Sequence, residues 1–281
     1  MVTPTWSWLL TRWNLEPSVV VGLVVMVAAY GAFYRREAKV PKSSPALHAR
    51  SRSQPWLFGL SMVTLVAALL SPLDYISDQY LFSAHMVQHL LLATVWPPLL
   101  LLALPERLAV SAFKLPLAGA ALRRLTHPVV AFVIFNADIS IWHLPPWYDL
   151  TLTNEGVHIL EHLTFMAAGI LVWWPVLSPS RAQRLSYPGQ LLYLFANLFP
   201  TMGLGIFFSF FQHPLYAPYV AAPRLWGMSA LTDQQLGGLV MWMPGNIPYA
   251  AAMAFILVDW LDKGDPKVLT VAPTAARAPE P

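Results

Sequence analysis

Long apolar runs, separated by short polar loops, make up most of the chain. A helix needs about 20 predominantly apolar residues to cross the hydrocarbon core of a bilayer. Seven segments are long and apolar enough: 18–34, 55–73, 80–103, 128–144, 155–177, 188–211 and 235–261. The pattern predicts an all-α fold, a polytopic membrane helix bundle with about seven transmembrane helices.

Proline and glycine interrupt three of these segments. Pro97 and Pro98 lie in the third, Pro200 in the sixth, and Pro244 and Gly245 in the seventh. Proline destabilises the interior of a soluble helix by about 3 kcal/mol, whereas neighbouring groups in a membrane protein can re-satisfy the freed carbonyls. We therefore expect the third, sixth and seventh spans to be kinked.

Composition supports a membrane protein and excludes several kinds of site. The 281 residues are 57% apolar and 11% charged, whereas about a quarter of the residues in a soluble domain are charged. There is no cysteine, which excludes disulfides, thiolate metal sites, Fe–S clusters and a cysteine nucleophile. The basic residues lie in loops and form no stripe, so we expect no nucleic-acid partner.

The loop charges predict the orientation of the helices. On one side of the predicted bundle lie 15 of the 17 Lys and Arg residues, in 35–54, 105–127, 178–187 and after residue 261. The other side has Arg12 and Arg224. Because cytoplasmic loops carry the excess of Lys and Arg, we expect the N-terminus outside and the C-terminus in the cytoplasm. The positive charges follow the first apolar run, so we expect no cleavable signal peptide.

This topology divides the chain into three parts. Residues 1–17 form an outer N-terminal segment in which a short interfacial helix is possible, and residues 18–261 form the seven-helix transmembrane domain. Residues 262–281 are rich in alanine and proline, so we expect a disordered cytoplasmic tail. The sequence has no convincing internal repeat, which gives no support to an inverted-repeat transporter.

Six of the eight histidines fall, by this topology, in the outer half of the membrane or just beyond it. They are His85, His89, His143, His158, His162 and His213. Residues four apart share a helix face, so His85 and His89 point the same way, as do His158 and His162. Ionisable residues are costly inside a membrane and indicate a functional site. For a lone histidine, an interhelical hydrogen bond is the ordinary alternative.

Methionine and aspartate extend the two histidine faces. Met166 lies four residues after His162, and Asp78 lies seven residues before His85. Imidazole suits several metals, whereas a thioether selects Cu(I), so the combination without thiolate favours copper. We predict a copper site with these candidate ligands: His85, His89, His143, His158, His162, Met86, Met166 and Asp78. Participation of His213 and Met243 stays open.

The acidic residues near the histidines have several possible roles. Asp78 would orient a histidine or attract the cation, and the alternative is that it caps the third helix. Glu161 is adjacent to His162, so we expect it to point to a different face and not to be a direct ligand. Glu161, or Asp138 in the fourth span, could still orient an imidazole or carry protons.

Four blocks of sequence resemble the CtaG-type cytochrome c oxidase assembly factors of Bacillus-like bacteria, and the resemblance covers about residues 55–262. The blocks are Ser83–Leu92 with Pro97–Pro98, Trp142–Asp149, His158–Phe165 with Trp173–Pro175, and Asp233–Gly238 with Trp242–Gly245. The resemblance implies a non-enzymatic factor that matures a haem–copper oxidase, with copper delivery as its mechanism. It also implies a multi-pass protein of the bacterial cytoplasmic (inner) membrane, with oxidase subunits and membrane lipid as partners. A homo-oligomer is left open.

Other functions remain possible at this point. Paired membrane histidines can be axial haem ligands, so a haem- or quinone-binding redox protein is one alternative. A metal or proton transporter is another, although the inner halves of the spans are poor in ionisable groups. A retinal protein is disfavoured because segment 235–261 has no lysine to form a Schiff base.

Overall fold

A computed structural model of the chain describes residues 5–38 and 45–263, and every structural statement below refers to these residues. This part of the chain is helical and contains no β-strand. Its α-helices are α1 Trp6–Leu9, α2 Pro17–Ala38, α3 Pro45–Leu69, α4 Pro72–Gln79, α5 Phe82–Leu90, α6 Trp96–Ala103, α7 Glu106–Lys114, α8 Pro116–Leu125, α9 Pro128–Trp142, α10 Pro145–Thr151, α11 Glu155–Leu177, α12 Tyr187–Phe210, α13 Ala217–Ala221, α14 Ala230–Trp242 and α15 Ile247–Lys263.

Six stretches of helix are long and apolar enough to cross a membrane. They are Pro17–Arg36, Arg52–Gln79, Phe82–Ala103, Glu155–Leu177, Tyr187–Phe210 and Ala230–Lys263. Helices α8 and α9, bent by 73° at their junction, make a seventh if the pair counts as one span. These stretches correspond to the seven predicted segments, so the predicted all-α membrane bundle is confirmed. The outward N-terminus and cytoplasmic C-terminus remain predictions.

The third span is irregular where its sequence contains two prolines. Residues Leu91–Val95 form a π-helix between α5 and α6, and the N–H of Trp96 bonds to the carbonyl of Leu91. Pro97 and Pro98 follow directly and have no N–H to donate. The wider π turn accommodates the missing donors, and π turns often occur at functional sites. The irregular turn comes directly after the predicted histidine pair.

The seventh span is broken, as the sequence predicts. Helix α14 ends at Trp242, a 3-10 turn covers Pro244–Asn246, and α15 starts at Ile247. The sixth span differs, because Pro200 lies inside α12 without interrupting the helix.

Glycines permit close helix contacts around the middle of the bundle. A Cβ added to Gly169 on α11 would lie 2.7 Å from the Ala93 carbonyl oxygen in the π turn. A Cβ added to Gly205 on α12 would lie 2.8 Å from the carbonyl oxygen of Gly238 on α14. Small residues of this kind let membrane helices approach closely. They bring α11 against the third span and α14 against α12.

The largest apolar cluster begins beside the histidines and extends through the half of the bundle in which α11 ends. It combines buried residues of the third to seventh spans, including Leu101, Phe135, Trp173, Leu194 and Tyr249. The rings of Trp173 and Tyr249 stack with centroids 4.9 Å apart. Packing of this kind, together with the close glycine contacts, holds the helices that carry the histidines.

The N-terminal segment folds back onto the start of the third span. Leu9 of α1 is fully buried with Leu81 and Leu225, and the Asn14 amide donates a hydrogen bond of 2.8 Å to Asp74. Helix α1 lies in the segment for which the sequence allows a short interfacial helix, and an outer, interfacial location of this segment remains a prediction. The predicted disordered tail lies outside the described residues from 264 onward, and α15 includes its first two residues.

Candidate metal centre

The structure gathers the predicted histidines of α5 and α11 in one buried group. The ring centroids of His85 and His89 are 4.2 Å apart, and those of His158 and His162 are 4.3 Å apart. Between the helices, His85 lies 5.4 Å from His158 and His89 lies 5.6 Å from His162. All four side chains are buried. The four-residue spacing therefore does bring both pairs to one place in the bundle.

Most of the donor atoms in this group have no hydrogen-bond partner within the described chain. The atoms are His85 Nε2, both ring nitrogens of His89, His158 Nε2, His162 Nε2 and both carboxylate oxygens of Glu161. Burying an unpaired polar group costs about 1–3 kcal/mol, so a cluster of this size is unfavourable without a ligand. Several lone pairs that converge in one buried volume are what a metal ion requires.

Four of these residues are close enough to share one ion. One ligand atom from each of His85, His89, Glu161 and His162 lies within 4.8 Å of all the others. Metal–ligand bonds of about 2.1 Å in a tetrahedral site correspond to separations of about 3.4 Å between ligand atoms. A small inward movement of the side chains would therefore close this group around an ion. Three imidazoles and a carboxylate suit a transition metal.

Glu161 corrects an expectation from the sequence. Its carboxylate is fully buried, and its Oε1 lies 3.7 Å from His89 Nε2. The expectation that adjacency to His162 would turn Glu161 to a different face is wrong. Consecutive residues on a helix differ by about 100° in direction, and the third span packs against a sector of α11 wide enough to include both.

Tyr219 fixes the ring nitrogen that His85 offers. The Tyr219 hydroxyl donates to the Ser77 carbonyl at 2.7 Å and lies 2.8 Å from His85 Nδ1. Burial raises the pKa of the Tyr219 hydroxyl, so the phenol keeps the proton that it donates. Its oxygen then accepts from His85 Nδ1–H, which leaves the Nε2 lone pair free. Partners of this kind orient metal ligands and raise their basicity.

Sequence reasoning missed Tyr219. It lies on α13, in the connection between the sixth and seventh spans, and no spacing pattern links it to His85, which is 134 residues away.

Asp78 lies between the buried group and the protein surface. Its Oδ1 is 3.7 Å from His158 Nε2, and its side chain is 25% exposed. It borders a surface depression of about 350 Å³, together with Arg12, Asn14, Asp74 and Tyr75 among others. The structure therefore connects the predicted Asp78 to one of the predicted histidines and to solvent.

The alternative role of Asp78 as a helix cap is wrong. The backbone N–H groups of Phe82 and Ser83 at the start of α5 donate to the carboxylate of Asp233, at 2.7 and 3.0 Å. Asp233 lies on α14 and satisfies the donors that a helix start leaves unpaired. It fixes the start of the helix that carries His85 and His89.

Hydrogen bonds of Gln88 and Ser77 hold α5 against α3 and α4 beside the centre. The Gln88 amide donates to Asp74 at 2.8 Å and to the carbonyl of Ala68 at 2.9 Å, and Ser77 donates to the Gln88 oxygen. Gln88 is fully buried. The side of α5 next to the histidines is thus tied to α3 and α4.

The remaining candidates occupy different places. His143 lies 6.0 Å from His89 by ring centroids, and its Nε2 is 3.4 Å from the sulfur of Met86. Met166 instead packs against a cluster of apolar side chains that includes Phe58, Leu65 and Leu92. The two residues left open, His213 and Met243, are exposed.

Comparison with known proteins decides the family. Residues 20–263 match the family model described as cytochrome c oxidase caa3 assembly factor (Caa3_CtaG). The chain belongs to this family. The resemblance expected from the histidine blocks is therefore confirmed, and the match covers all of the predicted spans except the first two residues of the first.

Mycobacterial proteins are similar over nearly the whole chain. Uncharacterised proteins of Mycobacterium bovis and Mycobacterium tuberculosis are each 26% identical over 279 residues, which is 92% of this chain and 40% of theirs. An uncharacterised protein of Mycobacterium leprae is 23% identical over 89% of this chain and 40% of its own length. The chain thus spans about two-fifths of these relatives. No solved structure matches it significantly.

Proposed function

We propose that this protein is an assembly factor for a haem–copper cytochrome c oxidase, which binds copper in the buried histidine centre and delivers it to the oxidase. The observation that carries the proposal is the convergence of His85, His89, Glu161 and His162, with their ligand atoms within 4.8 Å of one another. Membership of the caa3 assembly factor family supplies the biological setting.

The chemistry of the donors supports copper. Among divalent first-row metals, Cu²⁺ generally binds a given nitrogen and oxygen site most strongly. The ion is cargo in this proposal, so the site must both bind and release it. A buried site with unpaired donors favours binding, and an adjoining ligand on the route to the surface assists release.

Asp78 and His158 supply that route. His158 lies 4.3 Å from His162 by ring centroids, and its Nε2 is 3.7 Å from the partly exposed Asp78. A carboxylate at a surface depression attracts cations. The predicted orientation would put this depression on the outer side of the membrane. An ion would thus pass between that compartment and the centre along Asp78 and His158.

The described residues argue against a haem and against a polar path along α11. The imidazoles are 4 to 6 Å apart by centroids, and the cavity beside His89 has a volume of about 40 Å³, far too small for a haem. Beyond the histidines, α11 continues as buried Ala168, Val172 and Val176 in the apolar cluster, which offers no polar relay for a transporter.

Metal analysis of the purified full chain tests copper binding. After copper loading and removal of excess ion, the wild type should retain copper, and a His85→Ala/His162→Ala double variant should lose the ion held by this centre. His213→Ala is the matched control, because His213 is exposed and outside the centre. Equal copper in the wild type and the double variant would contradict the proposal, as would a Soret band in the optical spectrum.

The delivery step needs a cellular readout. Cells that lack the gene should assemble oxidase with reduced copper content, the wild-type gene should restore it, and the double variant should not. Normal oxidase copper in cells with the double variant would contradict delivery, even if the purified protein binds copper.

A further inference from the structure

Beside the centre lies a second group of donors with a different chemistry. His143 and Met86 are almost fully buried, and their facing atoms, Nε2 and the thioether sulfur, are 3.4 Å apart. His143 stands at the end of α9 and Met86 on α5. Neither belongs to the four residues whose ligand atoms converge in the first group.

The hydrogen bond of His143 Nδ1 determines whether Nε2 carries a proton or a lone pair. Nδ1 lies 2.7 Å from the backbone carbonyl oxygen of Ile139. A carbonyl oxygen only accepts, so Nδ1 must carry the proton of an uncharged imidazole. The Nε2 atom is then a bare lone pair that points at the sulfur of Met86.

The two facing atoms are both hydrogen-bond acceptors. A thioether sulfur has no hydrogen to donate, so the contact between His143 Nε2 and Met86 is not a hydrogen bond. The two lone pairs would repel in a buried, apolar setting. A cation that binds both would turn this contact into a favourable one.

The surrounding space fits one small ion. Met86, His89, His143 and Met241 all border a cavity of about 40 Å³, whereas about 10–15 Å³ suffices for a single water-sized probe. Thr201 borders the same cavity, and its hydroxyl oxygen is buried without a partner. Both ring nitrogens of His89 are also unpartnered. The cavity therefore combines vacant volume with unpaired donors.

The separation of the two facing atoms indicates the coordination number. With metal–nitrogen and metal–sulfur bonds of about 2.0 and 2.3 Å, a distance of 3.4 Å corresponds to an angle of about 105° at the metal. A two-coordinate linear site would need about 4.3 Å between the same atoms. The pair therefore requires further ligands, and His89 and Met241 are available at the cavity wall.

We propose that Met86, His143, Met241 and His89 form a second, soft-metal site that takes monovalent copper. When both this site and the histidine–glutamate centre are filled, His89 bridges them as an imidazolate and its ring proton is released to solvent. Thioether ligands select Cu(I), whereas the first centre has three imidazoles and a carboxylate. The proposal deepens the proposed function and rests on it for its biological setting. Met86, His143 and Met241 lie outside the four residues of the first centre, so the second site can be tested separately.

X-ray absorption of the full chain in detergent, loaded with Cu(I) under anaerobic reducing conditions, tests the second site. The wild type should show sulfur among the copper ligands and bind two ions. Met86→Leu should lose the sulfur signal and one ion. Met166→Leu is the matched control, because it changes the same residue type in an apolar cluster and should keep both.

The sulfur signal separates the two proposals. His162→Ala should remove the ion of the first centre and leave the sulfur-containing ion. This result concerns the purified chain, so it does not depend on whether the protein delivers copper to the oxidase. A wild-type spectrum without sulfur would overturn the second site. So would a Met86→Leu spectrum equal to that of Met166→Leu. Leucine has nearly the volume of methionine, and Met241→Leu, which should weaken the sulfur signal, serves as a second variant if Met86→Leu fails to fold.

Discussion

The two halves of α11 pack against neighbouring helices in opposite ways. The first half, Glu155–Thr164, contains His158, Glu161 and His162, which are buried with ligand atoms that lack partners. The second half, Phe165–Leu177, buries Ala168, Val172 and Val176 in the largest apolar cluster. Burial in the second half stabilises the bundle, whereas burial in the first half costs free energy unless a ligand binds.

The stabilising second half of α11 explains how the bundle keeps the histidines buried although their burial costs free energy. The π turn and Gly169 let α11 approach the third span closely at the boundary between the halves. The apolar half of α11 then holds α11 and the third span at a fixed distance. The histidines of the first half therefore cannot move apart to reach water. Interiors transmit such constraints because they are closely packed.

The largest expected effect is in the apolar half. Trp173→Ala should lower the free energy of unfolding by about 3 kcal/mol, because it removes a buried ring and leaves a cavity beside Tyr249. Thermal unfolding of the purified protein in detergent measures it. Phe255→Ala is the control, since Phe255 is 77% exposed on the bundle surface. Equal unfolding temperatures for the two variants would contradict this role of the apolar half.

A change beside the centre should affect metal affinity instead of stability. Tyr219→Phe removes the acceptor of His85 Nδ1–H, and the loss of such a partner typically weakens metal binding by about 10–100-fold. Competition with a copper chelator measures the affinity. Tyr193→Phe changes a buried tyrosine of α12 in the largest apolar cluster and should leave the copper affinity unchanged. If both variants bind copper as the wild type does, Tyr219 does not orient the ligand.

Glu161→Gln should separate the effect of the Glu161 side chain on stability from its effect on copper binding. Without metal, the variant should be more stable than the wild type by about 1 kcal/mol, because it removes a buried carboxylate that has no hydrogen-bond partner. With copper, the order should reverse, because the amide is a weaker ligand. Unfolding temperatures with and without copper give both values, and the exposed Glu155→Gln on the same helix is the control. A variant that is less stable without metal would count against an unpaired carboxylate.

The smallest expected effect concerns access to the centre. Asp78→Asn should slow copper uptake by several-fold, up to about tenfold, because it removes a charge at the surface depression. The final copper content should stay the same. Stopped-flow mixing with copper measures the rate, and Glu106→Gln, at an exposed site on α7, controls for overall charge. An unchanged rate would exclude Asp78 from the route.

The sequence predicted more of the fold than of the centre. The length of each apolar run determined the number and approximate bounds of the spans, because a bilayer demands about 20 apolar residues from each helix. Prolines predicted the irregular third span and the broken seventh. The four-residue spacing predicted the shared faces of His85 with His89 and of His158 with His162, since that spacing follows from helix geometry alone.

The remaining residues of the centre depend on how the helices pack. Whether Glu161 faces the third span, and whether Met166 faces histidines or apolar residues, depends on the rotation of α11 about its axis. That rotation is set by contacts such as Gly169 with the π turn, which involve residues far apart in the chain.

Sequence alone therefore determined the helices and the shared faces of their histidine pairs, because both follow from local spacing and from the thickness of a membrane. Only the tertiary structure decided which donors meet. Tyr219 reaches His85 across 134 residues, and Asp233 caps α5 across 151. His143 meets Met86 across 57 residues. Contacts between distant segments leave no periodic signal in one sequence, because each depends on the mutual placement of whole helices.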